Sequence, residues 1–316
     1  RYTWFMQRNN QPGGLSVETN DLRERLFSAL ISEILRVMSL RGKSWARLIV
    51  GNLLKLPVYQ LVDKLIRLDE NVARHGWSAA IGGFLADFVS EYRVTGLENV
   101  PRQGSLLVVG NHPGSYDMPI LSTVMGRDDL KVITSDIAVV RLLPNIAEHF
   151  IFISRDVHKS MLTVRTAIRH LRDGGSVLIF PRGDVEPDQD VSPGGMPNFE
   201  RWSQSSEFFL RKAPQTRVLV VFTRGVLSPR WFKSPLVRIW KKPARRQKVA
   251  EILQVAQQLS EKQKFSLTPS LAFSRLLSVE ELGTLDSPDG HFLNALIEQM
   301  RTLIREQFDP TSELKV

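Results

Sequence analysis

Cysteine is absent from this chain of 316 residues, which excludes a disulfide framework, a thiolate nucleophile and any cysteine metal site, and fits a reducing compartment. Acidic residues are also in short supply: 33 Asp and Glu stand against 42 Lys and Arg, giving a formal charge of +9 and a pI of about 9.9. Such an excess predicts attraction to something acidic, whether a lipid headgroup, nucleic acid or an acidic carrier protein, and charge alone does not choose among them. Long apolar runs are missing too. The most apolar stretches, LFSALISEILRVMSL and WARLIVGNLLKLPVYQLVDKLIRL, are broken by charge well before the roughly 18 apolar residues a spanning helix needs. Nothing is expected to cross a bilayer, while lying on one stays open. No G-x-S-x-G elbow occurs, which disfavours attack by an enzyme serine, and no glycine-rich nucleotide fingerprint follows a strand.

What is present is a helical front and an α/β body. From Val17 to about Val89, apolar residues recur at helical spacing: Leu26, Leu30, Ile34, Leu35 and Met38, then Leu48, Leu53, Leu54, Leu61, Leu65 and Ile66. Pro57 should kink or split the second run, and a third, GWSAAIGGFLADFV, is glycine-rich and suited to close packing. The region 1–90 reads as a helical bundle covering the body, with a membrane-insertion element as the alternative. From Tyr92 onward, the short runs YRVTG, SLLVVG, KVITS, FIFIS, SVLIF and RVLVVF read as strands. Helices are expected at about 116–126, 157–172, 198–212, 245–263 and 290–308. This alternation predicts an α/β fold over 91–316: a mainly parallel central sheet flanked by helices, with a basic C-terminal extension over 226–316.

The stretch LLVVGNHPGSYDMPIL places His112 just beyond a strand and Asp117 five residues later. In an open parallel sheet, ligands sit beyond the carboxyl ends of strands. Within one continuous helix, positions five apart point away from each other, so contact between His112 and Asp117 needs a turn, which Pro113 and Gly114 supply. Ser115 is the expected helix N-cap, putting Asp117 in the first turn, where the helix dipole favours a carboxylate. An aspartate on one ring nitrogen fixes the tautomer and leaves the other free to accept a proton, which makes His112 a candidate general base. The other histidines, His75, His149, His158, His170 and His291, share no ligand-like spacing with nearby carboxylates, and no metal is expected.

The segment YRVTGLENVPRQGSLLVVGNHPGSYD resembles the entry segment of the glycerolipid acyltransferase superfamily, whose signature is N-H-x-x-x-x-D. Downstream, IFISRDVHKSMLTVRTAIRHLRDGGSVLIFPRGDVEPD is similar to that family's second and third blocks, in the same order and spacing. The resemblance covers about 92–225. It implies a peripheral membrane enzyme of phospholipid biosynthesis that moves a fatty acyl group from acyl-CoA or acyl-carrier protein to a hydroxyl of a glycerolipid or lysophospholipid. It needs no cofactor beyond that donor. His112 and Asp117 take the roles of base and orienter, and Arg155 that of the arginine holding the acceptor phosphate. A positioned base and oxyanion donors suffice for a thioester, which is already activated.

The third block departs from the pattern. Where the family reads F-P-E-G-T-R, this chain reads Phe180-Pro181-Arg182-Gly183-Asp184-Val185. The usual acidic and basic ends are lost, with Asp184 and Glu186 placed to restore a carboxylate. Substrate contacts are expected from Arg155, Arg182 and Gly183, Arg182 supplying the second positive charge for an anionic acceptor. Between Arg224 and Lys248 lie nine Lys and Arg and no acid, interleaved with aromatics. Arg230, Trp231, Phe232, Lys233, Trp240, Lys241 and Lys242 are therefore the expected contacts to anionic lipid at the cytoplasmic face of a membrane. A solvated face with the tryptophans packed inward is the plainer alternative. Two other functions are open: a lipid-binding protein that keeps the fold with altered catalysis, and a nucleic-acid-binding protein, for which no recognised module is found.

Overall fold

The computed structural model describes residues 17–153, 157–192, 195–260, 267–284 and 292–308. Four helices open the chain: α1 (Val17–Val37), α2 (Ser44–Leu53), α3 (Lys55–His75) and α4 (Trp77–Leu85). The body follows as β1 (Arg93–Thr95), β2 (Leu106–Gly110), α5 (Asp117–Met125), β3 (Leu130–Ser135), two single turns α6 (Ala138–Arg141) and α7 (Pro144–Ala147), β4 (Phe150–Ile153), α8 (Val157–Arg172), β5 (Ser176–Ile179), α9 (Ser205–Lys212) and β6 (Arg217–Arg224). The C-terminal extension supplies α10 (Pro229–Phe232), α11 (Pro235–Arg238), α12 (Pro243–Ser260), β7 (Ser270–Phe273), α13 (Val279–Thr284) and α14 (Phe292–Phe308).

The seven strands form one sheet in the order β1-β7-β6-β2-β5-β3-β4. Strands β6, β2, β5, β3 and β4 are mutually parallel, and β7 runs antiparallel to β6 with β1 parallel to it at the edge. The sheet is thus mainly parallel, as the sequence implied. The strand β7 was not read from the sequence: SLAF is only four residues long and carries no alternation.

All five residues of β2 are buried, as expected of a central strand covered on both faces. Its side chains alternate between two cores. Leu106 and Val108 join the apolar residues of α1, α3, α4 and α5, whereas Leu107 and Val109 face Leu171, Phe209 and Leu296 of α8, α9 and α14. The N-terminal helices therefore cover one face of the sheet and are part of its core. Replacing the fully buried Leu107 with alanine should lower unfolding free energy by about 2–5 kcal/mol, read from urea denaturation.

Pro57 splits the second apolar run, but the break falls three residues earlier, at Leu54. Proline lacks the N–H and clashes with the carbonyl four residues back, so it is tolerated only in a first turn, and α3 starts at Lys55 to place it there. In α4, a Cβ on Gly82 would sit 3.2 Å from Thr123 of α5, so glycine allows these two helices to approach closely. Among the described residues, no helix is long and apolar enough to cross a membrane.

Candidate active site

The chain leaves β2 at Gly110 and at once pairs across to β6. The buried Asn111 amide donates to Thr223 O and accepts from Thr223 N–H, each at 2.8 Å. The strand's last backbone partner is thereby replaced by a side chain, and the following residue is released into the turn above the sheet. His112 sits there. Its Nδ1 lies 2.7 Å from Asp117 Oδ2, and its ring stacks on Phe180 at the end of β5, with centroids 4.6 Å apart. Asp117 is fully buried at the first position of α5 and accepts further from Gly114 N–H at 3.3 Å and Met118 N–H at 2.6 Å.

A carboxylate so held requires the proton on Nδ1, which leaves Nε2 as the basic nitrogen. Among the described residues Nε2 has no hydrogen-bond partner, and the His112 side chain is 27% exposed, enough to meet a substrate. Burial works against the imidazolium, but the charge and hydrogen bond of Asp117, aided by Glu251 and Glu186, outweigh it and raise the His112 pKa above its ordinary value.

Ser115 does not cap α5. The cap position falls on Tyr116 without a side-chain bond, and Ser115 N–H instead donates to Glu251 Oε1 of α12 at 2.7 Å. The third block reaches the same turn: Glu186 N–H donates to His112 O at 2.7 Å, and Glu186 Oε2 accepts His112 N–H at 3.2 Å. Trp202 Nε1 holds the other Glu186 oxygen at 3.0 Å. Burial raises the Glu186 pKa despite these donors. Asp184 pairs with Lys248 Nζ at 2.5 Å. Burial alone would raise Asp184, yet the Lys248 ammonium holds its carboxyl below the usual range.

Arg182 is half-buried just past β5 and makes no ion pair among the described residues. Gly183 turns the chain with φ +65°, which favours glycine. Arg155 lies outside the described residues. Val185, where the family has arginine, is buried in the wall of a cavity of about 390 Å³. His112, Ser115, Lys248 and Glu251 line that cavity together with Glu33 and Arg36 of α1, and the other lining residues are apolar, among them Leu30 and Ile34 of α1, Pro57 and Leu61 of α3, and Ile252 of α12.

The aromatic residues of the basic segment turn inward. Phe232 is buried with its ring under the Arg246 guanidinium, Trp231 donates to Gln257 at 2.6 Å, and Trp240 donates to Met38 O at 3.4 Å. A buried ring does not reach a bilayer, so Phe232 is withdrawn as a lipid contact and the half-buried Trp231 and Trp240 are committed to internal partners. Arg230, Lys233, Lys241 and Lys242 remain exposed, beside Leu236 and Ile239. A larger apolar patch lies elsewhere, on α2 and the start of α3: Trp45, Leu48, Ile49, Leu53 and Leu56 are all more than half exposed, with Arg41, Lys43, Arg47 and Lys55 around them.

Of the remaining histidines, His149 stacks on Trp77 and His170 bonds Asp129 O, both structural roles. The side chain of His158 and all of His291 lie outside the described residues. Sequence reasoning missed Gln247 and Glu251. Their signal was present in α12 as Gln247, Glu251, Gln254 and Gln258 at helical spacing, but such a stripe reads equally well as a solvated face.

A histidine–aspartate pair thus stands beyond the central strand of a mainly parallel sheet, beside a largely apolar cavity. Residues 91–227 match the family model described as Acyltransferase. These residues therefore form an acyltransferase domain, the activity class that the N-H-x-x-x-x-D signature indicated. Among solved structures it is similar to the 1-acyl-sn-glycerophosphate (LPA) acyltransferase PlsC from Thermotoga maritima, at 16% identity and a TM-score of 0.44 over 92% of this chain and 97% of that one. Against curated protein sequences the chain has no significant match.

Proposed function

We propose that the protein transfers a fatty acyl group from acyl-CoA or acyl-carrier protein to a hydroxyl of a glycerolipid or lysophospholipid at a bilayer surface. The observation that carries this reading is the position of His112: its Asp117-oriented ring lines a largely apolar cavity large enough for an acyl chain. The acceptor hydroxyl attacks the thioester carbonyl as Nε2 takes its proton. The tetrahedral intermediate then collapses, breaking the C–S bond, and the departing thiolate recovers the proton from the imidazolium. Asp117 stabilises the imidazolium while it exists.

Membrane contact is assigned to α2. Its buried face carries Ala46 and Val50, and its outer face presents tryptophan and leucines among cations, the composition of a helix lying in the headgroup region. The cavity wall includes Leu54 and Pro57, next to the exposed Leu53 and Leu56, so a chain in the cavity would lie close under the docked face.

The test is direct. Purified protein is incubated with labelled acyl-CoA or acyl-carrier protein and a panel of lysolipids in anionic vesicles, and products are read by mass spectrometry. Acyl transfer to a lysolipid is expected. Donor binding without transfer would instead favour the lipid-binding alternative, for which the altered third block is the specific reason. Because Arg182 follows β5 alongside the His112 turn, Arg182→Ala should raise the KM for an anionic acceptor about tenfold while leaving donor KM nearly unchanged. An unchanged acceptor KM would remove Arg182 from the site.

A further inference from the structure

The segment 91–227 contains the dyad but not everything that holds it. Helix α12 presents a buried polar stripe, Gln247, Glu251, Gln254 and Gln258, to backbone groups around the site. Gln247 Nε2 donates to Pro113 O at 2.5 Å and to Glu186 O at 2.8 Å. One turn on, Glu251 accepts Ser115 N–H. Gln254 accepts Ser228 N–H at 2.7 Å and donates to Val226 O at 3.0 Å, and Gln258 donates to Phe88 O at 2.7 Å. The turn carrying His112 is thus gripped at Pro113 and at Ser115 by consecutive turns of one helix. Between them a Cβ on Gly114 would collide with Glu251 Oε1, so this close approach needs glycine. Three members of the stripe are amides, which suffice for gripping backbone. The fourth is a carboxyl group, buried and lining the same cavity as His112.

We infer that Glu251 is a positioning residue of the acyl-transfer site, fixing the His112 turn through Ser115 N–H and adding a second negative charge beside the imidazole as it takes up a proton. This rests on the reading of His112 as the base. A backbone clamp alone would be served by glutamine, as at the other three positions, without the desolvation that burying a carboxylate costs. Burial raises the Glu251 pKa to about 7, opposed by Ser115 N–H and by the His112 charge, so the two groups titrate as a coupled pair. The other charged groups facing the pair are Asp117 on α5, Glu186 and Asp188 after β5, and Lys248 on α12, itself paired with Asp184. Across the cavity on α1, Glu33 and Arg36 are bonded to each other.

The experiment uses the full chain, with labelled acyl-CoA and lysolipid vesicles, in four forms: parent, Glu251→Gln, Glu251→Ala and His112→Ala. Glu251→Gln keeps an oxygen for Ser115 N–H and removes the charge. It should lower kcat about tenfold at pH 7.5 with both KM values nearly unchanged, and move the acid limb of the pH–rate profile down by about one unit. The His112 ring titration, followed by NMR on histidine-labelled protein, should move down with it. Glu251→Ala should lose a further tenfold through the freed turn. A Glu251→Gln enzyme whose pH profile and ring titration superimpose on the parent's overturns the inference, and this holds even if Glu251→Ala fails to fold. An inactive His112→Ala alongside that result would leave the base assignment standing and remove Glu251 alone, whereas an active His112→Ala would overturn the base assignment itself.

Discussion

His112→Ala is expected to lose acyl transfer by a factor of about 10² to 10⁴ while keeping the fold. The ring contributes no core packing beyond its stack on Phe180, so circular dichroism and the unfolding midpoint should stay close to the parent's. Asp117→Asn should fall in the same range, for a different reason. The amide offers Nδ1 an oxygen or an N–H, and if it donates, the imidazole is forced into the tautomer whose Nε2 already carries a proton. Asp117 also accepts Gly114 and Met118 N–H, so this variant should show some loss of stability as well. The pH dependence follows from the His112 shift. The base works when neutral and its pKa lies above the ordinary 6.5, so kcat/KM should rise with pH along a limb centred above that value and decline below it. Initial rates across pH 5.5 to 9 in about half-unit steps would check both points. Parental rates in folded His112→Ala would end the proposed mechanism.

Leu48→Glu/Leu53→Glu should abolish most binding to anionic vesicles. Both leucines are largely exposed, at 68% and 76%, so the folded protein loses little internal packing. Burying each in the acyl boundary is worth about 1.5–3 kcal/mol, so removing the pair weakens partitioning by about 10² to 10⁴. The added carboxylates widen the deficit by repulsion from the lipid surface. Flotation with vesicles at low and high salt would measure it. The comparison variant is Leu236→Glu/Ile239→Glu, in the basic segment, where both residues are again exposed. If α2 is the docking face, the second pair should bind nearly as the parent does. The reverse order would move the contact back to residues 224–248.

The strands from Leu106 to Phe222 were legible because buried parallel strands are continuous runs of β-branched and aliphatic residues closed by glycine or a polar turn, a pattern with few competing explanations. His112 and Asp117 were legible for a similar reason: strand, Pro-Gly turn and helix start leave one geometry in which they meet. Two features misled. Aromatics among cations describe a membrane interface and an aromatic-stemmed surface equally well, and only the tertiary contacts of Trp231, Phe232 and Trp240 separate the two. The stripe on α12 was passed over, because glutamines at helical spacing are far more often exposed than buried. Its meaning depends on a turn 136 residues away, which no local window contains.

That separation has a consequence for how the molecule is made. At about 5–20 residues per second, synthesis places residue 251 roughly 7 to 27 s after residue 115. Long-range pairings of this kind are the slow part of folding. During that interval the nascent chain holds the histidine and aspartate with their turn tied only through Glu186 and Asp117, and without the grip of α12 at Pro113 and Ser115. The fully braced site thus arrives late, after translation has passed residue 258. Proteolytic or mutational loss of the chain beyond residue 242 is therefore expected to silence the enzyme without altering either member of its dyad.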